Sequence, residues 1–310
     1  ESKLIDPFVG AGTTLLVARE CGLSATGFDL SPVSILVSNA KVRDYDIKTI
    51  CHALGTVISP PEKSITELTW KSERMKRALS ESERSEFWNL RQAILKQPRD
   101  VRDLLLVALI RIVRDFSRAV ADGGWFRWVE KPDQGNRVRA AFQTMVEQII
   151  AELKMDRHPL NGQLLEARKG DARNLSVSKG EFSGLITSPP YPNRHDYSRI
   201  FHIELLLLGE DESDIIDFRH HSMRSHVEAL KPTDVSVSIS RYAEPKKLTD
   251  ALNHLPEESD DRVPSLLRGY FEDLYTTMIV AHDALKPKAG AAFVVGNVRY
   301  GGVLIPVDEL

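Results

Sequence analysis

The sequence predicts an α/β protein, a doubly wound and mostly parallel sheet that carries a helical insertion. Three observations predict it. Strand-like and helix-like runs alternate at the N-terminus, a long stretch of purely helical pattern follows, and strand-like runs then return. At 310 residues, with 42% hydrophobic and 27% charged side chains, the chain can build one large domain or a domain with a sizeable insertion. In a sheet of this kind ligands gather at the carboxyl ends of the strands.

Lys3 to Phe8 forms a short apolar run, followed by Gly10-Ala11-Gly12 and by Thr13 to Cys21, of helical composition and ending at Gly22. Strand, glycine turn and helix are expected in that order. Ser24 to Leu30 reads as a second strand with Asp29 near its end. Ser31-Pro32 supplies an N-cap and a proline for a second helix, Val33 to Val42.

From about Tyr45 to Pro159 strand signals vanish, and helices are expected over Ser80 to Leu95, Asp100 to Val120 and Val138 to Lys154. Trp70, Phe87, Trp88 and the cluster Trp125-Phe126-Arg127-Trp128 could stack on bases, although aromatics at helical spacing more often serve a core.

Strands return at Gln163 to Ala167 and at Phe182 to Thr187, separated by the turn Gly170-Asp171-Ala172-Arg173-Asn174-Leu175. The second of these strands runs into Ser188-Pro189-Pro190-Tyr191. Tyr197 to Leu208 reads as one helix, Gly209 to Asp261 as polar and irregular, and Leu266 to Leu285 as a long helix. The turn Lys286 to Gly290 then leads into a strand, Ala291 to Val295. Residues 1–44 and 160–310 are thus expected to form the sheet domain and 45–159 the insertion.

A formal charge of -3 and an isoelectric point near 6.4 give no global signature of a nucleic-acid binder, so any such surface must be local. Cys21 and Cys51 are too few for a disulfide framework or a zinc site of four cysteines, and no metal is expected. No stretch approaches the roughly 20 apolar residues that cross a bilayer, and no signal-peptide layout is present, so a cytoplasmic protein without a membrane partner is expected. The chain starts at Glu1 without a methionine and reads as an excerpt of a longer protein.

A glycine turn after a first strand lets backbone approach a ligand closely, and the helix N-terminus behind it favours negative charge. The dinucleotide fingerprint needs a third glycine, whereas Gly12 is followed by Thr13, Thr14 and Leu15. A P-loop is excluded by the lack of Gly-Lys-Ser/Thr. Asp29, about 20 residues after the glycines, is placed to accept the hydroxyls of a ribose. An adenosine-bearing cofactor fits.

Taken together, Asp6-Pro7-Phe8-Val9-Gly10-Ala11-Gly12-Thr13-Thr14 closely resembles the D-P-F-x-G-x-G-T motif of the amino-methylating DNA methyltransferases, the N4-cytosine and N6-adenine enzymes. Ser188-Pro189-Pro190-Tyr191 resembles the catalytic D/N/S-P-P-Y/F/W motif of that family. The resemblance implies a Rossmann-like methyltransferase sheet and S-adenosylmethionine as cofactor. It implies that the loop from Asp6 through Phe8, Gly10, Gly12 and Thr13 wraps the methionine end, that Asp29 holds the ribose, and that Asp171 and Ala172 hold the adenine. It also implies DNA as partner, with the target base flipped out of the duplex, and leaves a restriction or defence partner open.

Two prolines in succession fix two φ angles and remove two N–H donors, leaving a rigid loop that can aim acceptors at an amino group. Ser188 Oγ and the Pro189 carbonyl would accept the hydrogens of an exocyclic amine, and Tyr191 would stack on the flipped base. Serine at the first position favours N4-cytosine over N6-adenine within the resembling family. The segment Asn193-Arg194-His195-Asp196-Tyr197 places basic groups beside this loop, and phosphate contacts by Arg194 or Arg199 are open to it. Target recognition falls to the insertion or to Gly209 to Asp261, where Arg219-His220-His221-Ser222-Met223-Arg224 and Ser238-Ile239-Ser240-Arg241 stand out. An RNA base or protein glutamine methyltransferase, and a non-catalytic nucleic-acid-binding subunit of the same fold, are the competing readings.

Overall fold

A computed structural model describes residues 2–60, 70, 72–122, 125–155, 159–193, 195–229, 242–258 and 260–310. Along the chain run β1 (Lys3–Asp6), α1 (Thr13–Glu20), β2 (Ser24–Asp29), α2 (Pro32–Lys41), α3 (Ile47–Ile58), α4 (Glu73–Ala78), α5 (Glu81–Leu95) and α6 (Arg99–Phe116). These are followed by β3 (Ala119–Asp122), β4 (Trp125–Trp128), α7 (Val138–Met155), β5 (Leu165–Lys169), β6 (Phe182–Thr187), α8 (Tyr197–Ile200), α9 (His202–Leu208) and α10 (Glu212–His221). The last elements are α11 (Lys246–Asn253), α12 (Val263–Ala284), β7 (Leu285–Phe293), β8 (Val298–Tyr300) and β9 (Val303–Ile305). No helix among the described residues is long and apolar enough to cross a membrane.

The chain divides into two compact units. The first comprises Glu1–Ser38, Gln163–Tyr197 and Ile216–Leu310, the second Asn39–Gly162 and Ser198–Ile215.

The first unit holds a five-stranded sheet of order β5-β2-β1-β6-β7. Every pair in it is parallel. The chain winds outward from β1 through β2 to β5 and then returns to the other side of β1 with β6, so the order reverses between β1 and β6. A reversal of this kind opens a crevice at the carboxyl ends of the strands. The expected α/β class with a Rossmann-like parallel sheet is what forms. Ile5, Phe28, Phe182 and Leu185 from the sheet pack with Ala281 and Ala284 of α12 in one core cluster. A second cluster gathers Met223, Leu248, Leu252, Tyr270, Phe271 and Ile305, with Phe8 packed against it.

The second unit is a helical assembly in which α3, α5, α6 and α7 pack on one another. Buried Ile50 and Leu54, Phe87 and Leu90, Leu105 and Leu109, and Phe142 and Val146 recur at the three- and four-residue spacing that lines one helix face. Of the aromatics weighed as base-stacking groups, Phe87, Trp70, Trp88 and Trp128 are engaged within this unit. Phe87 meets Phe116 edge-on at 5.6 Å, Trp70 meets Trp88 at 5.1 Å, and Arg77 lies 4.0 Å over the Trp128 ring. Glu83, fully buried, ties three segments together: Oε2 accepts from Ser80 N at 2.8 Å and Arg118 Nη1 at 2.7 Å, and Oε1 from Gln134 N at 3.1 Å. Glu83→Ala strips the carboxylate from the half-buried Arg118 guanidinium, leaves Ser80 N and Gln134 N without their acceptor and should cost about 1–3 kcal/mol. A melting curve unchanged from the parent would contradict that role.

Four expectations are corrected. The insertion is not free of strands, because the helix expected over Asp100 to Val120 stops at Phe116, where Ser117 turns extended (φ -61°, ψ 135°) and its Oγ bonds Ala119. An antiparallel hairpin, β3 with β4, follows. The helix expected over Tyr197 to Leu208 is broken at Phe201, which leaves helical geometry (φ -103°, ψ 19°). Gly209 to Asp261 is not irregular throughout, since α10 and α11 form within it; Ser238 to Arg241 lie outside the described residues. The last strand begins at Leu285, because Phe182 pairs with Leu285 and Gly184 with Gly290, leaving the expected turn as a bulge inside β7.

Candidate active site

β1, β2 and β6 end side by side at Asp6, Asp29 and Thr187. The glycine loop after β1 is held by its neighbours: Val9 N donates to Phe28 O at 2.9 Å, Gly10 N to Asp29 Oδ2 at 3.0 Å, and Ser38 Oγ to Gly10 O at 3.0 Å. Gly12 sits at φ 81°, and a β-carbon there would lie 2.8 Å from Ser38 Oγ. A glycine is required for both reasons. Gly10, at φ 49°, is different. A β-carbon on it would meet only Phe8 O, at 3.8 Å, so the loop is open where a ligand would approach. Phe8 is half-buried, and Thr13 is exposed as the first residue of α1, whose N-terminus carries no side-chain cap.

Asp29 spends one lone pair of each carboxylate oxygen on the backbone, on Gly10 N and on Ser31 N at 2.9 Å. Burial raises its pKa, those two hydrogen bonds oppose the rise, the nearby charge of Asp6 adds to it, and a hydrogen bond from the Ser34 side chain lowers it slightly. Asp6 is raised in the same direction, chiefly by burial, against hydrogen bonds from Thr14, Thr187 and Phe8 N. Two buried carboxylates therefore share the crevice. Their field suits a cationic ligand.

Because the folded state holds the Asp6 proton more tightly than the unfolded chain, the stability Asp6 contributes falls as pH rises through its raised folded pKa. Asp6→Asn retains acceptors for Thr187 and Phe8 without the charge. The variant is expected to melt level with or above the parent at pH 8, the gap closing toward the ordinary carboxylate range near ~4. A variant that falls further behind as pH rises would contradict this.

Thr187 Oγ1 donates to Asp6 Oδ1 at 2.6 Å in a fully buried bond that joins the ends of β1 and β6. One residue on, Ser188 is exposed, with Oγ 3.2 Å from Val294 O and 3.3 Å from the Tyr191 hydroxyl. Pro189 is buried and Pro190 half-buried. The half-buried Tyr191 ring lies 3.5 Å from where a β-carbon would stand on Gly296, so the missing side chain makes room for it. Asn193 N donates to Tyr191 O at 2.7 Å, and the Tyr300 hydroxyl donates to Pro192 O at 2.5 Å, closing the loop from the far side. Tyr197 is half-exposed. Burial lifts its phenol, with smaller contributions from Tyr191 and Asp29, so it stands near both halves of the crevice.

The turn after β5 is fastened beside β2, Gly170 N donating to Asp29 O at 3.0 Å. Gly170 has no room for a side chain, since a β-carbon would come within 2.8 Å of Phe28. Asp171 is engaged by Arg173, and Ala172 is buried. Arg194 lies outside the described residues. Arg219, considered for nucleic acid, is instead buried and pairs with Asp196 at 2.8 Å, while Arg224 pairs with Asp273 and Glu272.

Sequence reasoning missed Thr187, Ser38, Tyr300, Gly296 and Arg173. Thr187 was legible only as a strand residue, and nothing local marks Tyr300 or Gly296 as neighbours of a loop more than 100 residues upstream.

Among known proteins the chain is similar to the Type II methyltransferase M.BsoBI of Geobacillus stearothermophilus, at 28% identity over 99% of this chain and 70% of that protein. It is similar to M.AvaI of Nostoc sp. at 25% identity over the same shares. The chain is a relative of the Type II methyltransferases. A third methyltransferase, M.MjaII of Methanocaldococcus jannaschii, is 43% identical over 47 residues, 15% of this chain. These relatives bear out the resemblance carried by the two motifs. No family model matches the chain, and no solved structure matches it.

Proposed function

We propose that the chain transfers a methyl group from S-adenosylmethionine to an exocyclic amino group of a DNA base, with cytosine N4 as the acceptor. The observation that carries this reading is the buried Thr187–Asp6 hydrogen bond at 2.6 Å. It fixes the glycine loop and the Ser188–Tyr191 loop against each other, as a transfer between a bound cofactor and a bound base requires.

The residues present suit that cofactor. The open, left-handed Gly10 admits close approach, the α1 N-terminus favours a carboxylate, and Asp6 and Asp29 favour a cationic ligand. Asp29 retains a lone pair for the ribose after serving Gly10, Ser31 and the Ser34 side chain. When bound, the cofactor supplies an electrophilic methyl group. The protein's part is to make the amine ready for it.

An exocyclic amine is a weak nucleophile because its lone pair is shared with the ring. Ser188 Oγ donates its hydrogen to Val294 O and accepts the Tyr191 hydroxyl on one lone pair, which leaves the other to accept from the amine. The Pro189 carbonyl accepts the second amine hydrogen. Together they localise the nitrogen lone pair and aim it across the Thr187–Asp6 junction, with no covalent enzyme intermediate. Tyr191, braced on Gly296, stacks on the base once it leaves the duplex.

We assign target recognition to the helical insertion, 45–159. In the competing segment Arg219 and Arg224 are already committed to carboxylates. Serine rather than aspartate at position 188 supports cytosine. Base-resolution mapping of DNA from cells expressing the complete protein tests the reading: N4-methylcytosine at one short motif is expected, and N6-methyladenine would overturn the choice of base.

A further inference from the structure

Arg173 follows Asp171 by two residues in the turn after β5, yet its side chain is only 2% exposed. Burying a guanidinium demands compensation, and here it is unusually complete. Arg173 Nε and Nη2 grip Asp171, at 2.9 Å to Oδ1 and 2.7 Å to Oδ2. Nη1 reaches Asp273 Oδ2 at 2.9 Å, and Nη2 also donates to His221 O at 2.5 Å. Asp273, itself buried on α12, accepts in addition from Arg224 N at 2.9 Å and from the Arg224 guanidinium. Arg224 is shared with Glu272 at 2.9 Å. The turn after β5 is thereby bolted to α12 and to the end of α10.

The consequence lies in what is left of Asp171. Each carboxylate oxygen offers about two lone pairs. Oδ1 gives both to Arg173, one to the backbone N–H at 2.9 Å and one to Nε. Oδ2 accepts from Nη2 at 2.7 Å and takes only the longer arm of the bifurcated Nε–H, at 3.2 Å, so its second lone pair is weakly engaged. The fork also fixes the carboxylate plane, which a point charge such as lysine would not do. Asp171 keeps 29% of its side chain exposed, so that remaining lone pair can be reached.

Resting on the cofactor reading above, we infer that Arg173 is a positioning residue that aims one lone pair of Asp171 Oδ2 at the 6-amino group of the cofactor's adenine. The cofactor preference for adenine then depends on a residue that never touches it.

Calorimetry on the complete protein with two probes tests this: S-adenosylhomocysteine, and its analogue bearing a carbonyl in place of the 6-amino group. The parent should prefer the amino form by about tenfold, the worth of one charge-assisted hydrogen bond. Arg173→Lys, which keeps the charge and loses the fork, should reduce that preference to about twofold, while turnover at saturating cofactor stays near the parent's. Equal preference in parent and variant overturns the inference. If Arg173→Lys does not fold, Asp273→Asn, which loosens the fork from α12, should show the same loss, and an undiminished preference there also overturns it. Failure of the parent to bind either probe is a different result, because it overturns the cofactor reading itself.

Discussion

Tyr191→Ala is expected to lower methyl transfer to DNA roughly 5- to 150-fold, the range set by about 1–3 kcal/mol for stacking one base on an aromatic ring. Affinity for S-adenosylmethionine should change less than about twofold, within the scatter of a distant substitution. The asymmetry follows from position. Tyr191 rests on Gly296 beyond β6 and shares only its hydroxyl with Ser188, whereas the glycine loop is held through Asp29 and Ser38. Presteady-state transfer and cofactor titration on the same preparation separate the two quantities. A parallel loss in both would show that the crevice does not divide into a cofactor half and an acceptor half.

Asp29→Ala is expected to do the reverse. It removes the acceptor for the ribose and leaves Gly10 N, Ser31 N and the Ser34 side chain without their carboxylate. Hydrogen bonds to a charged group contribute about 1.5–3 kcal/mol, so cofactor affinity should fall roughly 10- to 150-fold. At saturating cofactor the turnover should recover most of the parent value, since Ser188, Pro189 and Tyr191 are untouched. Asp29→Asn separates the two causes. The amide oxygen can still accept one backbone N–H, so the asparagine variant should fall between alanine and parent in a calorimetric titration. An alanine variant that binds cofactor as the parent does would contradict the placement of the ribose at β2.

Much of the sheet is legible in the sequence because its signals are local. The run Lys3 to Asp6, the glycines at 10 and 12, the strand ending at Asp29 and the strand Phe182 to Thr187 each carry their own boundary residues. The strand order is not legible. β1 lies beside β6, with Ile5 opposite Leu185, across 180 positions of intervening chain. No residue in either strand encodes that pairing.

The hairpin of β3 and β4 was legible and went unread. Trp125-Phe126-Arg127-Trp128 has the aromatic content of a strand, and Asp122-Gly123-Gly124 is turn chemistry. The helical periodicity on both sides outweighed it. Helix α11 is a similar case, since Leu248 and Leu252, both buried, stand four apart in an otherwise polar stretch. The commitments of Arg219 and Arg224 were beyond reach for another reason. Their partners, Asp196 and Asp273, lie 23 and 49 residues away, and an arginine in a polar segment reads as a nucleic-acid contact until its carboxylate is found.

The central claim is that the two motifs form one methyl-transfer site for a base amine. Incubation of the complete protein with methyl-labelled S-adenosylmethionine and, in parallel, duplex DNA, tRNA or protein, followed by digestion of the nucleic acids to nucleosides, tests it most directly. Label in N4-methylcytosine, lost in the Ser188→Ala and Tyr191→Ala variants, is the expected result. Label confined to RNA or to protein, with the DNA unmodified, would contradict it.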